Sequence, residues 1–153
     1  MVTLEKSYFR GQSIARLDAK GRLRVPTKFR DVLQVRQSDA LIITRLDKCL
    51  VAYPIDYWQQ IENKVLGLSQ IQPQHRTFIR HFISGAEECE FDGQGRILIP
   101  PLLREKVQLG QEVLLAGMLS SFEIWNRDAW EKHSEWGSDH FLEIALDIAN
   151  TGF

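Results

Sequence analysis

The chain has 153 residues, with 44% hydrophobic and 25% charged side chains; 19 Lys and Arg stand against 20 Asp and Glu, a formal net charge of −1. That composition excludes a mainly disordered chain, and the length supports a core without a metal or disulfide staple. A near-neutral total speaks against a nucleic-acid partner, because such domains are usually basic overall. The charge, however, is unevenly placed: residues 1–31 hold eight basic side chains against three acids, a net of +5, leaving −6 for the remainder. Such asymmetry points to an N-terminal segment that faces a polyanion.

Cys49 and Cys89 lie outside any CxxC pair and read as small apolar fillers in a reducing compartment. No apolar run is long enough to span a membrane, and residues 1–10 lack the apolar core of a signal peptide. A cytoplasmic protein is the expectation.

The elements follow in chain order. Ser13–Leu17 alternates as a strand, and Asp18-Ala-Lys-Gly-Arg22 reads as a tight turn in which Gly21 supplies a positive φ. A strand Leu23–Val25 ends at Pro26, which opens a helix over Thr27–Val35. Strands Leu41–Thr44 and Cys49–Tyr53 come next. A helix capped by Asp56 then places Trp58, Ile61, Val65 and Leu68 on one face. A further helix over Gln74–Ser84 is opened by Pro73 and stopped by Gly85, with Phe78, Ile79, Phe82 and Ile83 apolar.

From there the series starts again: strand Glu88–Phe91, turn Asp92-Gly-Gln-Gly95-Arg96, strand Ile97–Ile99, Pro100, helix Leu102–Val107, and strands Val113–Ala116 and Phe122–Trp125. A last helix, Asp139–Ala149, is expected to bury Leu142, Ala145 and Ile148 or Ala149. Residues 18–26 thus recur 74 positions later, Arg30 falls on Arg104, and Trp58 falls on Trp130 at an offset of 72. This is a duplicated unit of about 70 residues, not a solenoid. The expected halves are residues 7–85, carrying the basic segment, and residues 86–153, together forming one compact unit.

The chemistry sits in the repeated turn. An Asp four residues before an Arg can accept hydrogen bonds from turn amides and from the guanidinium, which fixes the arginine's direction. Two such turns side by side make a rigid arginine-bearing surface. Arg22 and Arg96 can then present planar forks to guanine O6 and N7 or to phosphate. Lys20, Arg24, Arg16 and Arg10 would neutralise phosphates and position the loop. Asp18, Gly21, Asp92 and Gly95 organise the turns. The second copy is poorer in charge, with Gln94 in place of Lys20 and Glu87, Glu88 and Glu90 just upstream.

Phe9-Arg10-Gly11, Leu17 to Pro26, Phe29-Arg30, Cys49-Leu50, Tyr53-Pro54, Trp58, Ala86 to Pro100 and Phe122-Glu-Ile-Trp125 together resemble the MraZ family of bacterial transcriptional regulators, over nearly the whole chain. The resemblance implies an α+β architecture: a duplicated AbrB-like swapped-hairpin β-barrel, two pseudo-symmetric halves in one chain, with peripheral helices. It implies a homo-oligomeric ring that binds short direct repeats in double-stranded DNA and represses the cell-division and cell-wall gene cluster headed by its own gene. A cytoplasmic, nucleoid-associated protein follows. The stretch before Phe9 is a few residues longer than usual for the family, which points to an alternative initiation site.

Other constellations carry less. His75 and His81 are six apart, and His133 and His140 have no Cys nearby, so no metal-ligand spacing is present and no metal or cofactor is expected. Asp18 and Asp92 as a catalytic pair would each be held ionised by a basic partner, so no catalytic residue is expected. Trp58, Trp125, Trp130 and Trp136 could stack on bases but lie on apolar faces, where core or subunit packing is the better reading. An antitoxin-like protein that binds a toxin is the alternative from the same superfamily, distinguished by a long, polar, disordered tail. A clamp on a phosphorylated small molecule would need a nucleophile or base that the sequence does not offer, so no small-molecule substrate is expected.

Overall fold

The computed structural model describes residues 7–152. An alternative start before Phe9 concerns chiefly residues 1–6 and lies outside the described residues. The first half comprises β1 (Gln12–Arg16), β2 (Arg22–Arg24), α1 (Thr27–Val35), β3 (Ala40–Leu46), β4 (Cys49–Pro54), α2 (Ile55–Val65) and α3 (Pro73–Phe78), which continues as a π-helical turn over Ile79–Ile83. The second comprises β5 (Glu87–Glu90), β6 (Arg96–Leu98), α4 (Pro101–Lys106), β7 (Glu112–Gly117), β8 (Phe122–Asn126) and α5 (Arg127–Ala149).

The halves exchange strands. β1 pairs antiparallel with β7 and β5 with β3, so each incoming strand completes the other repeat. Ile14 opposes Leu114 just as its repeat counterpart Glu88 opposes Ile42. β2 and β6 pair only with each other, in a two-stranded ribbon centred on Leu23 and Ile97. The remaining strands complete a six-stranded sheet in the order β1-β7-β8-β4-β3-β5, with the pseudo-twofold axis between β4 and β8. Within each repeat only a single bridge, Leu17–Leu23 or Phe91–Ile97, joins the strands flanking the Asp turn. Those two bridges lace the ribbon to the ends of the large sheet. The molecule is a duplicated swapped-hairpin fold of the α+β class, its strands forming a six-stranded sheet and a separate two-stranded ribbon joined by two single bridges.

Short outgoing strands explain the exchange. β2 and β6 are three residues long and run into Pro26 and Pro100, which lack the N–H that a longer ladder needs. Their alternate residues Leu23, Val25, Ile97 and Ile99 are fully buried, so the ribbon is one wall of the core. Phe9, Phe29 and Phe122 fill its centre, with ring centroids 4.9–5.3 Å apart. β4 is buried along its whole length because both its faces are covered. Leu50 and Ala52 face this core; Cys49, Val51 and Tyr53 face a second cluster with Trp58, Phe82, Leu114 and Trp125. Cys49 and Cys89 are free and buried, and burial pushes the Cys89 thiol up to about 12, so both act as apolar filler.

Five expectations need correction. Asp56 does not cap α2: it lies in the first turn and pairs with Arg36 at 3.0 Å, and Pro54 occupies the cap position. Leu68 lies beyond the end of α2. The helix after Pro73 becomes π-helical at Ile79, and the Phe82 carbonyl in its last turn accepts from Thr44 Oγ1 at 2.7 Å. The last helix starts at Arg127, where Asn126 Oδ1 accepts the N–H of Asp128 and Ala129. It buries none of Leu142, Ala145, Ile148 or Ala149, because it runs away from the sheet instead of folding back on it. Trp58 and Trp125 are core residues, and Trp136 is exposed on that helix and stacks on His140.

Candidate nucleic-acid interface

The turn residues close on themselves as the spacing requires. Asp18 Oδ1 accepts the backbone N–H of Lys20 and of Arg22, each at 2.9 Å, while Oδ2 accepts Arg22 Nε at 2.6 Å. Main-chain bonds from Gly21 N to Asp18 O and from Asp18 N to Arg22 O close the loop. The second turn repeats this: Asp92 Oδ1 accepts Gln94 N at 2.8 Å and Arg96 N at 2.9 Å, and Oδ2 accepts Arg96 Nε at 2.9 Å. Each guanidinium is therefore held by its Nε edge. Among the described residues the terminal nitrogens of Arg22 have no protein partner and remain available to a ligand.

The ribbon brings the two turns together. Arg96 Nη1 lies 3.8 Å from Asp18 Oδ2, and Arg24 Nη1 donates to the Gln94 carbonyl at 2.8 Å. Arg24 and Arg96 are direct cross-strand partners. Like charges placed opposite one another destabilise a bare sheet. Lys20, Arg22, Arg24 and Arg96 thus share one edge with only Asp18 and Asp92 between them. Arg16 ends β1, touches Gln111 at 3.4 Å and leads directly into the first turn. Arg10 is not brought here: it precedes β1, roughly 20 Å of strand from Arg16 at about 3.3 Å per residue, with its guanidinium over the Tyr8 ring.

Two supporting residues escape a reading of the turns alone. The Arg104 guanidinium, from α4, lies beneath Gly21 of the other repeat, where a Cβ would stand 2.3 Å from its Cζ. Arg30, from α1, does the same beneath Gly95, where a Cβ would stand 2.7 Å from Nη1. Both glycines have positive φ, +85° and +74°. Each arginine is aimed by its own strand end: Arg30 Nε donates to Val25 O at 3.0 Å and Arg104 Nε to Ile99 O at 2.9 Å. The equivalence of Arg30 and Arg104 in the repeat was the available signal. Gly21→Ala should therefore disturb the loop twice, by about 1–2 kcal/mol of left-handed backbone strain and by the clash. Thermal unfolding of Gly21→Ala should show a lowered midpoint, and Arg104→Ala in the same chain should recover part of the loss.

Both carboxylates are held in the ionised form. The Arg22 backbone N–H, followed against a smaller cost of burial by the Arg22 side chain and the Lys20 N–H, lowers Asp18 to about 2. Asp92 is lowered by the equivalent donors of its own turn, led by the Arg96 N–H and followed, against a smaller cost of burial, by the Gln94 N–H and the Arg96 side chain. A carboxylate with a depressed folded pKa stabilises the fold fully above its unfolded value near 4. That contribution fades as the pH falls toward the folded value. The Lys20 and Arg22 amide chemical shifts should therefore be flat from about pH 8 to 5 and move only below about 4.

Fold and site together define a duplicated swapped-hairpin protein with two Asp-x-x-x-Arg turns on one ribbon. Comparison with known proteins shows the same duplication and the family that carries it. The family model described as "MraZ protein, putative antitoxin-like" matches residues 8–81 and again residues 82–144. The chain is 61% identical over 147 residues to the transcriptional regulator MraZ of Syntrophobacter fumaroxidans, covering 96% of this chain and 98% of that one. It is 43% identical over 145 residues to the protein of the same name from Desulfitobacterium hafniense, with 94% and 99% covered. With that of Pseudomonas putida it shares 44% over 124 residues, 80% and 82% of the two chains. The chain belongs to the MraZ family.

Proposed function

We propose that the chain is a sequence-specific, double-stranded DNA-binding transcriptional regulator. In this reading it works as a homo-oligomeric ring that sets its ribbons on successive short direct repeats and represses the gene cluster headed by its own gene. Residues 7–85 and 86–153 act as one unit, since neither half completes its sheet without the other's strand. The supporting observation is the cross-strand Arg24–Arg96 pair beside Arg22 and Lys20: four cations gathered on one edge, an arrangement a polyanion would relieve. The relatives carry the name transcriptional regulator, which favours DNA as that polyanion. Each ribbon contributes modestly, and linkage within one assembly supplies avidity. No helix among the described residues is long and apolar enough to cross a membrane.

Within the ribbon the roles divide. Arg22 and Arg96, with their forks fixed by carboxylates, read base edges; Lys20, Arg24 and Arg16 neutralise phosphates. Lys20→Ala should therefore weaken binding to specific and random duplex alike, and lower the slope of log K against log salt by roughly 0.9 for each ribbon engaged. Fluorescence anisotropy titrations over a salt series measure this. A change in sequence preference with an unchanged slope would reassign Lys20 to base reading.

The word antitoxin-like in the family description raises the second reading, a swapped-hairpin protein that captures a toxin. Its mark would be a polar, unfolded C-terminal tail. Here the chain is helical from Arg127 to Ala149, which favours the regulator.

A further inference from the structure

Two unlike surfaces stand out away from the ribbon, and they complement each other. The first is on α5. Its first turns are anchored where Trp130 and His133 pack on Trp125, at 5.5 and 5.3 Å. The helix then runs on, about 34 Å in all at 1.5 Å per residue. On the protruding turns Leu142 is 71% exposed, and Leu146 one turn later is also exposed. Asp139 and Glu143 form the neighbouring ridge, three residues from Leu142 and Leu146 respectively. Among the described residues neither acid is in an ion pair.

The second surface lies in the first repeat. Gln70, Ile71, Arg76, Ile79 and Arg80 line an open groove of about 430 Å³. Ile71 is 89% exposed. Arg76 and Arg80 are one turn apart, exposed, and likewise outside any ion pair among the described residues. From Val65 to Gly85 the sequence contains no acid. An open groove that offers Ile71 and Ile79 between two arginines thus matches, in chemistry and sign, a leucine ridge flanked by two carboxylates.

The repeat explains why the two surfaces differ. α2 follows β4 as α5 follows β8, so both helices start from equivalent places. In the first half the chain turns back through α3, and Phe82 is buried against the sheet. In the second half the helix continues outward. A contact between the two unlike surfaces joins different patches on the two molecules, so it is heterologous and propagates to a ring or a filament.

We infer that the Asp139–Leu142–Glu143–Leu146 face of α5 docks in the Arg76–Arg80 groove of a second copy of this chain; this rests on the homo-oligomeric part of the reading above and names the surfaces that build it. Sedimentation equilibrium on the full chain tests it with two charge reversals, Arg76→Glu/Arg80→Glu and Asp139→Lys/Glu143→Lys. Each variant alone should fall apart to protomers, weakened at least tenfold in self-association. An equimolar mixture should reassemble, because each acidic surface then meets a basic one on the other variant. Leu142→Ser/Leu146→Ser, which alters no charge, should dissociate as well, with circular dichroism confirming retained helix in every variant. Variants that assemble like the unaltered chain, or a mixture that stays dissociated, overturn the inference alone. An unaltered chain that is monomeric at every concentration overturns the oligomeric reading and the inference with it.

Discussion

Replacing Arg22 and Arg96 together by alanine will abolish discrimination between the operator and random duplex while leaving the protomer folded. A bidentate fork on a base edge is worth about 1–3 kcal/mol of discrimination. Removing both therefore costs each ribbon roughly 2–6 kcal/mol, before linkage between ribbons multiplies the effect. The residual binding should be the sequence-independent, salt-sensitive kind that Lys20, Arg24 and Arg16 provide. Arg22→Ala alone should cost more than Arg96→Ala. The second turn carries Gln94 in place of a lysine and follows the exposed Glu87, Glu88 and Glu90, which repel phosphate. Competition titrations of labelled operator against random duplex measure the ratio. A double variant with an unaltered ratio would remove the turns from sequence reading.

Phe122→Ala should produce the largest loss of stability. Phe122 is fully buried and contacts Phe9 at 5.2 Å and Phe29 at 4.9 Å between ring centroids. It therefore joins the segment before β1, helix α1 and strand β8 in one packing unit. Truncating such a ring costs about 3–5 kcal/mol, out of a total of about 5–15 kcal/mol for a domain. For a chain of this size the unfolding midpoint should drop by roughly 10 °C. Calorimetry checks this, and a fall of only a few degrees would mean that the core collapses around the missing ring.

Much of this was legible because the repeat is strong. The Asp18 and Asp92 turns, Thr27–Val35 and all eight strands can be placed from spacing and proline alone. The partner of each strand cannot. Leu17-Asp18-x-x-Gly21-Arg22-Leu23 reads the same whether the turn closes on its own repeat or the strands are exchanged; the shortness of β2 before Pro26 decides it, and its effect is felt only in three dimensions. Arg30 and Arg104 were visible as equivalents, but their position beneath the other repeat's glycine depends on that exchange. α5 misled for a related reason. Leu142, Ala145 and Ile148 form an apolar stripe that looks alike whether the chain's own sheet or another molecule covers it. The near-neutral total charge misled too, because it averages an edge bearing Lys20, Arg22, Arg24 and Arg96 with an acidic C-terminal helix.

Footprinting on the DNA upstream of its own gene is the most direct test. The unaltered protein should protect a series of short, evenly spaced direct repeats, and the Arg22→Ala/Arg96→Ala variant should protect none of them at the same concentration. No protection by the unaltered protein, or an identical footprint from the variant, would contradict the assignment of the paired turns as the surface that reads DNA.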